Sequence, residues 1–231
     1  MIEQYRPSIL VVDDDPINVQ LMEAQLVNKY DIVKAFSGEE ALDILGREKP
    51  DLIILDVMMP GINGYEVCRR IKSSEDTSFI PVIIVTALSS RDDRLEGIEA
   101  GADDFLTKPI DRVELLTRSK NLLQGKKLHD KLISSEKKFR TLFENSVDAI
   151  MLFTQEGSIL EANAAACSML DYKHEELLGL SKMDLVAPEY REKCMNNTAY
   201  VLKKGQASFE ALYLRKDGSR VPVEMLSLIH I

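Results

Sequence analysis

Tryptophan is absent from the 231 residues, and cysteine and histidine occur three times each. The cysteines (Cys68, Cys167, Cys194) are odd in number and lack Cys-x-x-Cys spacing, which argues against a disulfide framework and against zinc. Long apolar runs are missing too. The longest uncharged stretch, residues 77–90, is too short to span a bilayer and contains a proline. Ahead of three aspartates the N-terminus offers only residues 9–12 as an apolar stretch, so no secretory signal is legible and a soluble cytoplasmic protein is expected. Basic charge is in deficit: 29 Lys and Arg face 38 Asp and Glu, a net charge of −9. Such a surface repels polyphosphate and anionic lipid, and no nucleic-acid or membrane binding is expected of this chain. A Walker A phosphate loop is also lacking, so any phosphoryl donor has to come from outside.

What is present divides the chain in two. Residues 1–125 hold 14 basic and 23 acidic side chains, whereas residues 126–231 hold 15 of each, so the whole imbalance lies in the first half. In that half, short β-branched runs at 9–13, 32–36, 52–56, 82–86 and 104–106 alternate with amphipathic segments. Three of the runs are almost continuously apolar, as strands buried on both faces of a parallel sheet are. Ser37 with Glu40 and Asp111 with Glu114 have the spacing of helix N-caps. Strict alternation of five strands and five helices gives an α/β, doubly wound parallel sheet, with its chemistry at the carboxyl ends of the strands. The domain is assigned residues 1–124.

Residues 125–145 are lysine-rich and free of proline, and form a helical linker. Leu128, Leu132, Ser135, Phe139 and Leu142 are spaced 4, 3, 4, 3, an a/d seam of under three heptads. Two readings fit: a short amphipathic helix packing on its own domain, or a helix that joins two copies of the chain. From 146 to 231 the pattern is α+β with an antiparallel sheet. Strands are expected at 148–153, 158–162, 208–215 and 220–226, with a helix-rich middle and a hairpin at Lys216-Asp217-Gly218-Ser219.

Asp13, Asp14 and Asp15 end the first strand, Asp56 the third and Thr86 the fourth; Lys108 follows the fifth. In an open parallel sheet these ends share one edge, so the side chains can converge. Clustered carboxylates stay ionised only around a shared cation, and a hard divalent ion such as Mg²⁺ suits oxygen ligands. A hydroxyl and an ammonium beside a metal make a place for a phosphoryl group, with one carboxylate as nucleophile.

The segments Ile9-Leu-Val-Val-Asp-Asp-Asp-Pro16, Leu52-Ile-Ile-Leu-Asp-Val-Met-Met-Pro-Gly61, Val85-Thr-Ala87 and Gly101-Ala-Asp-Asp-Phe-Leu-Thr-Lys-Pro109 resemble the receiver domain of bacterial response regulators over residues 6–124. The resemblance implies a flavodoxin-like strand order 2-1-3-4-5 and a phosphoryl group accepted on Asp56 from a histidine kinase. It implies Mg²⁺ held by Asp13 (through water), Asp14, Asp56 and the backbone carbonyl of Met58, with Asp15 outside the ligand set. Thr86 and Lys108 match the residues that bind phosphoryl oxygens, a cis Lys108–Pro109 bond is expected, and Phe105 with Thr86 matches the aromatic switch. Met58 and Leu88 are expected beside the route of the hydrolytic water. Both are apolar and unable to orient it, so a long-lived phosphoryl-aspartate is expected.

Residues 136–231 resemble a PAS domain, through Phe139-Arg-Thr-Leu-Phe-Glu-Asn-Ser146, Gly157-Ser-Ile-Leu-Glu-Ala-Asn-Ala164, Glu175-Glu-Leu-Leu-Gly179 and Lys216-Asp-Gly-Ser-Arg-Val-Pro-Val-Glu224. Asp171-Tyr172 stands where the family often has Gly-Tyr, and aspartate tolerates the left-handed backbone this requires. Residues 189–204, which correspond to the haem-bearing helix, hold no histidine, and neither Cys167 nor Cys194 matches the flavin-binding motif. A small apolar ligand or none is expected. His129 and His174 are read as solvated, since the context of a phospho-accepting histidine is missing.

The expected function is a two-component phosphorelay protein whose receiver switches the linked PAS or output module. Its partners are a histidine kinase or phosphotransfer protein and a second copy bound through the linker and PAS domain. Apart from self-phosphorylation and self-dephosphorylation, no enzyme activity is expected. A haloacid-dehalogenase-type phosphohydrolase with Asp13 as nucleophile competes, but it leaves Asp56 without a role and wants an acidic motif after Lys108, whereas Asp103-Asp104 precedes it. A phosphorylation-independent binding module is the third reading. The last six residues, 226–231, also equal one reading frame of a common transposase sequencing adapter. Native sequence is therefore expected to continue past Met225 with the sheet's last strand and an output domain, and His230 carries no functional weight.

Overall fold

The computed structural model describes residues 5–87 and 91–228, and of residues 91–94 the backbone only. Leu88, His230 and Ile231 lie outside the described residues. Two compact units divide at Ile133/Ser134.

In the first unit five parallel strands, β1 (Ser8–Val12), β2 (Asp31–Ala35), β3 (Leu52–Asp56), β4 (Val82–Thr86) and β5 (Asp104–Thr107), form one sheet in the order β2-β1-β3-β4-β5. All five residues of β3 and of β4 are buried, which is why these strands read as unbroken apolar runs. Helices α1 (Pro16–Leu26), α2 (Gly38–Leu45), α3 (Gly64–Ser73) and α4 (Arg91–Glu99) connect the strands. Two apolar clusters fill the unit: Leu10, Val12, Ile53, Leu55, Val82 and Ile84 belong to one, and Ile9, Val11, Leu52, Ile54, Ile83 and Val85 to the other. Successive residues of each central strand thus serve opposite faces of the sheet. The N-caps form as the spacing predicts. Ser37 Oγ accepts from the Glu40 N–H at 3.1 Å, and Asp111 Oδ1 from the Glu114 N–H at 2.9 Å.

Asp111 starts α5 (Arg112–Glu144), a single helix of 33 residues rather than a short one. Its seam is bare: Leu128, Leu132, Phe139 and Leu142 are 62, 69, 56 and 75% exposed. Lys126, opposite in sign to Asp51 and Asp130, lies 3.6 and 2.6 Å from their carboxylates, and His129 stacks on Phe79.

The second unit has two antiparallel two-stranded sheets, β6 (Met151–Phe153) with β7 (Ile159–Ala162), and β8 (Gln206–Leu214) with β9 (Arg220–Leu228). Between them come α6 (Ala164–Leu170), α7 (His174–Leu178), α8 (Lys182–Leu185), a 3₁₀ turn (Pro188–Tyr190) and α9 (Arg191–Lys204). β6 begins three residues later than the pattern predicts. The cause is Asn163: its fully buried amide takes the Ile150 N–H and gives to the Asp148 and Phe143 carbonyls, each at 2.9 Å. The same oxygen caps α6 through the Ala166 N–H. Asp171 adopts φ 60° and ψ 37° at the end of α6, the left-handed backbone its place in the motif requires. At the β8–β9 hairpin Gly218 has φ +81°, and Asp217 Oδ1 accepts from the Ser219 N–H at 2.8 Å.

Candidate phosphoryl site

The strand order reverses between β1 and β3, and Asp13 and Asp56 end these neighbouring strands. The Asp13 N–H extends the ladder to the Ala35 carbonyl (3.3 Å), and the Lys108 N–H extends that of β4 and β5 to the Thr86 carbonyl (2.9 Å). The same parallel pairing that buries the strands therefore aligns their chemical ends. Lys108 Nζ bridges the two buried carboxylates, 2.9 Å from Asp13 Oδ2 and 2.7 Å from Asp56 Oδ1. Asp56 Oδ2 accepts from the Met58 N–H at 3.0 Å, and Asp13 Oδ1 from the Asp15 N–H (2.9 Å) and from Asn18 Nδ2 (3.1 Å). Asp14 is exposed at the rim. Carboxylate oxygens of Asp13, Asp14 and Asp56 lie within 4.8 Å of one another.

Three acids and one lysine leave a formal charge of −2 in a space where Asp13 is fully buried and Asp56 only 2% exposed. Burial lifts the Asp56 carboxyl above the ordinary carboxylate range; Lys108 opposes the rise and Asp13 adds to it. Burial also works against the Lys108 ammonium, but its bonds to Asp56 and Asp13 outweigh this and hold its pKa above the usual value. An oxygen-only donor set with this net charge fits a hard divalent cation.

Of the other expected site residues, Thr86 is buried at the end of β4 and Met58 stands 62% exposed beside Asp56. Asp15 caps α1, its Oδ1 accepting from the Ile17 N–H at 2.9 Å, which accounts for its separation from the acid cluster. The Lys108–Pro109 bond is cis. Phe105 is half-buried against the cluster that contains Tyr65, and its ring lies over Gly97 of α4: a Cβ there would sit 2.3 Å from Cε1.

Two contributors escaped the sequence reading. Asn18 orients Asp13 from the first turn of α1, and its spacing from the acid run was the only available signal. Gly64 opens α3 against Asp56, where a Cβ would fall 2.1 Å from the Asp56 carbonyl oxygen. Only glycine lets α3 approach that closely.

A buried acidic pocket at the switch point of a doubly wound sheet, with a lysine and a threonine at its edge, defines an α/β domain built for phosphoryl chemistry. Residues 9–120 match the family model of the response regulator receiver domain, and residues 147–231 that of a PAS domain. The response regulator PleD of Caulobacter vibrioides is 49% identical over 129 residues, 55% of this chain and 28% of that protein. The response regulator MprA of Mycobacterium bovis is 42% identical over 135 residues, 58% of each chain. Among solved structures, the signal receiver domain of a signal transduction histidine kinase from Syntrophus aciditrophicus is 41% identical, with a TM-score of 0.50, over 52% of this chain and 91% of that one. The chain belongs to the response regulator receiver family through its first unit, and a PAS domain follows. It spans less than two thirds of the length of these curated relatives.

Proposed function

We propose that the first unit is a Mg²⁺-dependent phosphoryl switch in a cytoplasmic two-component relay, with Asp56 as acceptor and a histidine kinase or phosphotransfer protein as donor. The observation that carries this reading is Lys108 Nζ joining the buried Asp13 and Asp56 carboxylates at 2.9 and 2.7 Å in a cluster completed by Asp14. Asp13, Asp14, Asp56 and the Met58 carbonyl would hold the ion, which when bound supplies positive charge for the phosphoryl oxygens. An Asp56 oxygen attacks phosphorus, the P–N bond to the donor histidine breaks, and its electron pair stays on the imidazole nitrogen, which takes up a proton. Lys108 then turns from neutralising Asp56 to neutralising a phosphoryl oxygen, and the Thr86 hydroxyl donates to another. Movement of Thr86 opens room for the Phe105 ring, which carries the change to the surface of α4, β5 and α5. Phenylalanine has no hydroxyl, so the readout is by packing.

Incubation with Mg²⁺ and acetyl phosphate is expected to yield an alkali-labile phosphoryl adduct that Asp56→Asn abolishes. An adduct that persists in this variant overturns the assignment.

The exposed α5 seam supports a second element of the reading. Four large apolar side chains in heptad register on one helix suit the same seam of a second copy, so the switch acts within a homodimer joined through the linker helix and the PAS domain.

A further inference from the structure

The interior of the second unit contains hydrogen-bond donors without acceptors. Lys182, the first residue of α8, is only 7% exposed, and among the described residues no carboxylate pairs with it. The chain itself turns it inward: the Lys182 N–H is tied to the Gly157 carbonyl at 2.8 Å, and the preceding Ser181 N–H to Asp184 Oδ2 at 2.8 Å. The ammonium makes one hydrogen bond, to Thr198 Oγ1 at 3.3 Å. Thr198 spends its own proton on the Cys194 carbonyl at 2.9 Å, which leaves the hydroxyl as an acceptor for Lys182. Nζ also faces two rings, 5.9 Å from the centroid of Phe153 and 5.7 Å from that of Phe209.

Two ring quadrupoles and one neutral oxygen are weak compensation for an ammonium removed from water, and two of its three donors stay unused. A second observation points the same way. Among the described residues Asn197 Nδ2, one residue from Thr198 on α9, is buried without a partner, and so is the hydroxyl of Tyr213, which shares a face of β8 with Phe209. The Asn197 amide nitrogen can only donate, and the Tyr213 hydroxyl can donate as well as accept, so both suit an acceptor-only ligand.

We propose that Lys182 anchors an anion site inside the PAS domain, and that its ligand is a small organic carboxylate whose apolar body lies against Phe153 and Phe209. A monoanion matches the single cation. A phosphate dianion would leave one charge unmatched among aromatic walls. The carboxylate oxygens take the two unused ammonium donors, and Asn197 supplies a further N–H.

The test uses the full chain titrated with acetate, butyrate and benzoate, with benzyl alcohol as an uncharged counterpart of benzoate and inorganic phosphate as a second anion. Methyl NMR of Val221 and Val223, which pack on the core of this unit, is the readout. At least one carboxylate is expected to shift these signals saturably, while benzyl alcohol and phosphate leave them in place. Lys182→Met is expected to weaken that response at least tenfold, and to melt no lower than the unliganded parent because it removes an uncompensated buried charge. Asn197→Ala gives a smaller loss and guards against a defect specific to the first variant. The proposal fails if no carboxylate shifts the signals, if phosphate or benzyl alcohol acts equally, if the shift survives Lys182→Met, or if Lys182→Met lowers the melting temperature as loss of a structural residue would.

Discussion

At the residue scale the Asp56–Lys108–Asp13 contact sets the chemistry. The Asp56 pKa is raised above the ordinary carboxylate value, so carbon-detected NMR is expected to show this carboxyl titrating above the surface aspartates. Lys108→Met leaves two buried carboxylates without their cation and should cost about 3 kcal/mol of stability at neutral pH. The sign follows from the raised pKa. The Asp56 share of the penalty exists only while that carboxyl is ionised, so it persists above its pKa and fades as acid protonates the group. Denaturant melts of parent and variant at two pH values check both parts. Met58, exposed beside Asp56, cannot orient a water. Met58→Glu supplies a carboxylate there and is expected to speed loss of the phosphoryl group about tenfold or more, read by the decay of the adduct after the donor is removed.

At the element scale two helices meet the site through glycine. Gly97 seats the Phe105 ring on α4, and a methyl there collides with Cε1. Alanine gains about 1 kcal/mol of helix propensity, while overpacking costs about 1–3 kcal/mol. The half-buried ring can yield outward, so Gly97→Ala should change stability by about 1 kcal/mol or less yet hold Phe105 out. A fluorine label on Phe105 that responds to beryllofluoride in the parent is expected to stop responding in the variant. On α5 the seam gives a different prediction. Leu132→Glu puts a charge at the middle of the apolar stripe and should shift the proposed homodimer to monomer in sedimentation, without loss of helix, because Leu132 is 69% exposed.

At the scale of the whole molecule the charge asymmetry gains a location. The surplus of nine acids lies in residues 1–125, and the pocket aspartates Asp13, Asp14 and Asp56 supply three of them. A ligand that binds only the folded first unit stabilises that unit alone, by about 2.7 kcal/mol at a hundredfold excess over its dissociation constant. Mg²⁺ should accordingly raise the melting transition of the first unit and leave that of the second in place, and EDTA should reverse the shift. Asp14→Ala, which removes the exposed acid of the cluster and disturbs no core contact, should abolish the effect in calorimetry.

Much of the first unit was legible because its signals are periodic and local. Apolar runs mark strands buried on both faces, Ser37 and Asp111 mark helix starts, and parallel pairing forces Asp13, Asp56, Thr86 and Lys108 to one edge. The second unit was less so. Residues 148–150 have strand composition, yet Asn163, which caps α6, takes the backbone bonds of Asp148 and Ile150 that a longer β6 would use. The seam spacing in α5 was visible, but whether the domain's own surface covers it depends on where the helix runs. The sequence by itself determined which side chains end the strands, because strand period and parallel pairing follow from residue order. Tertiary structure alone decided that Lys108 bridges Asp13 and Asp56, that Gly64 admits α3 against Asp56, and that Lys182 is buried with no carboxylate partner among the described residues. These depend on contacts between residues far apart in the chain, and a buried charge or a missing Cβ acquires meaning only from the atoms that packing brings against it.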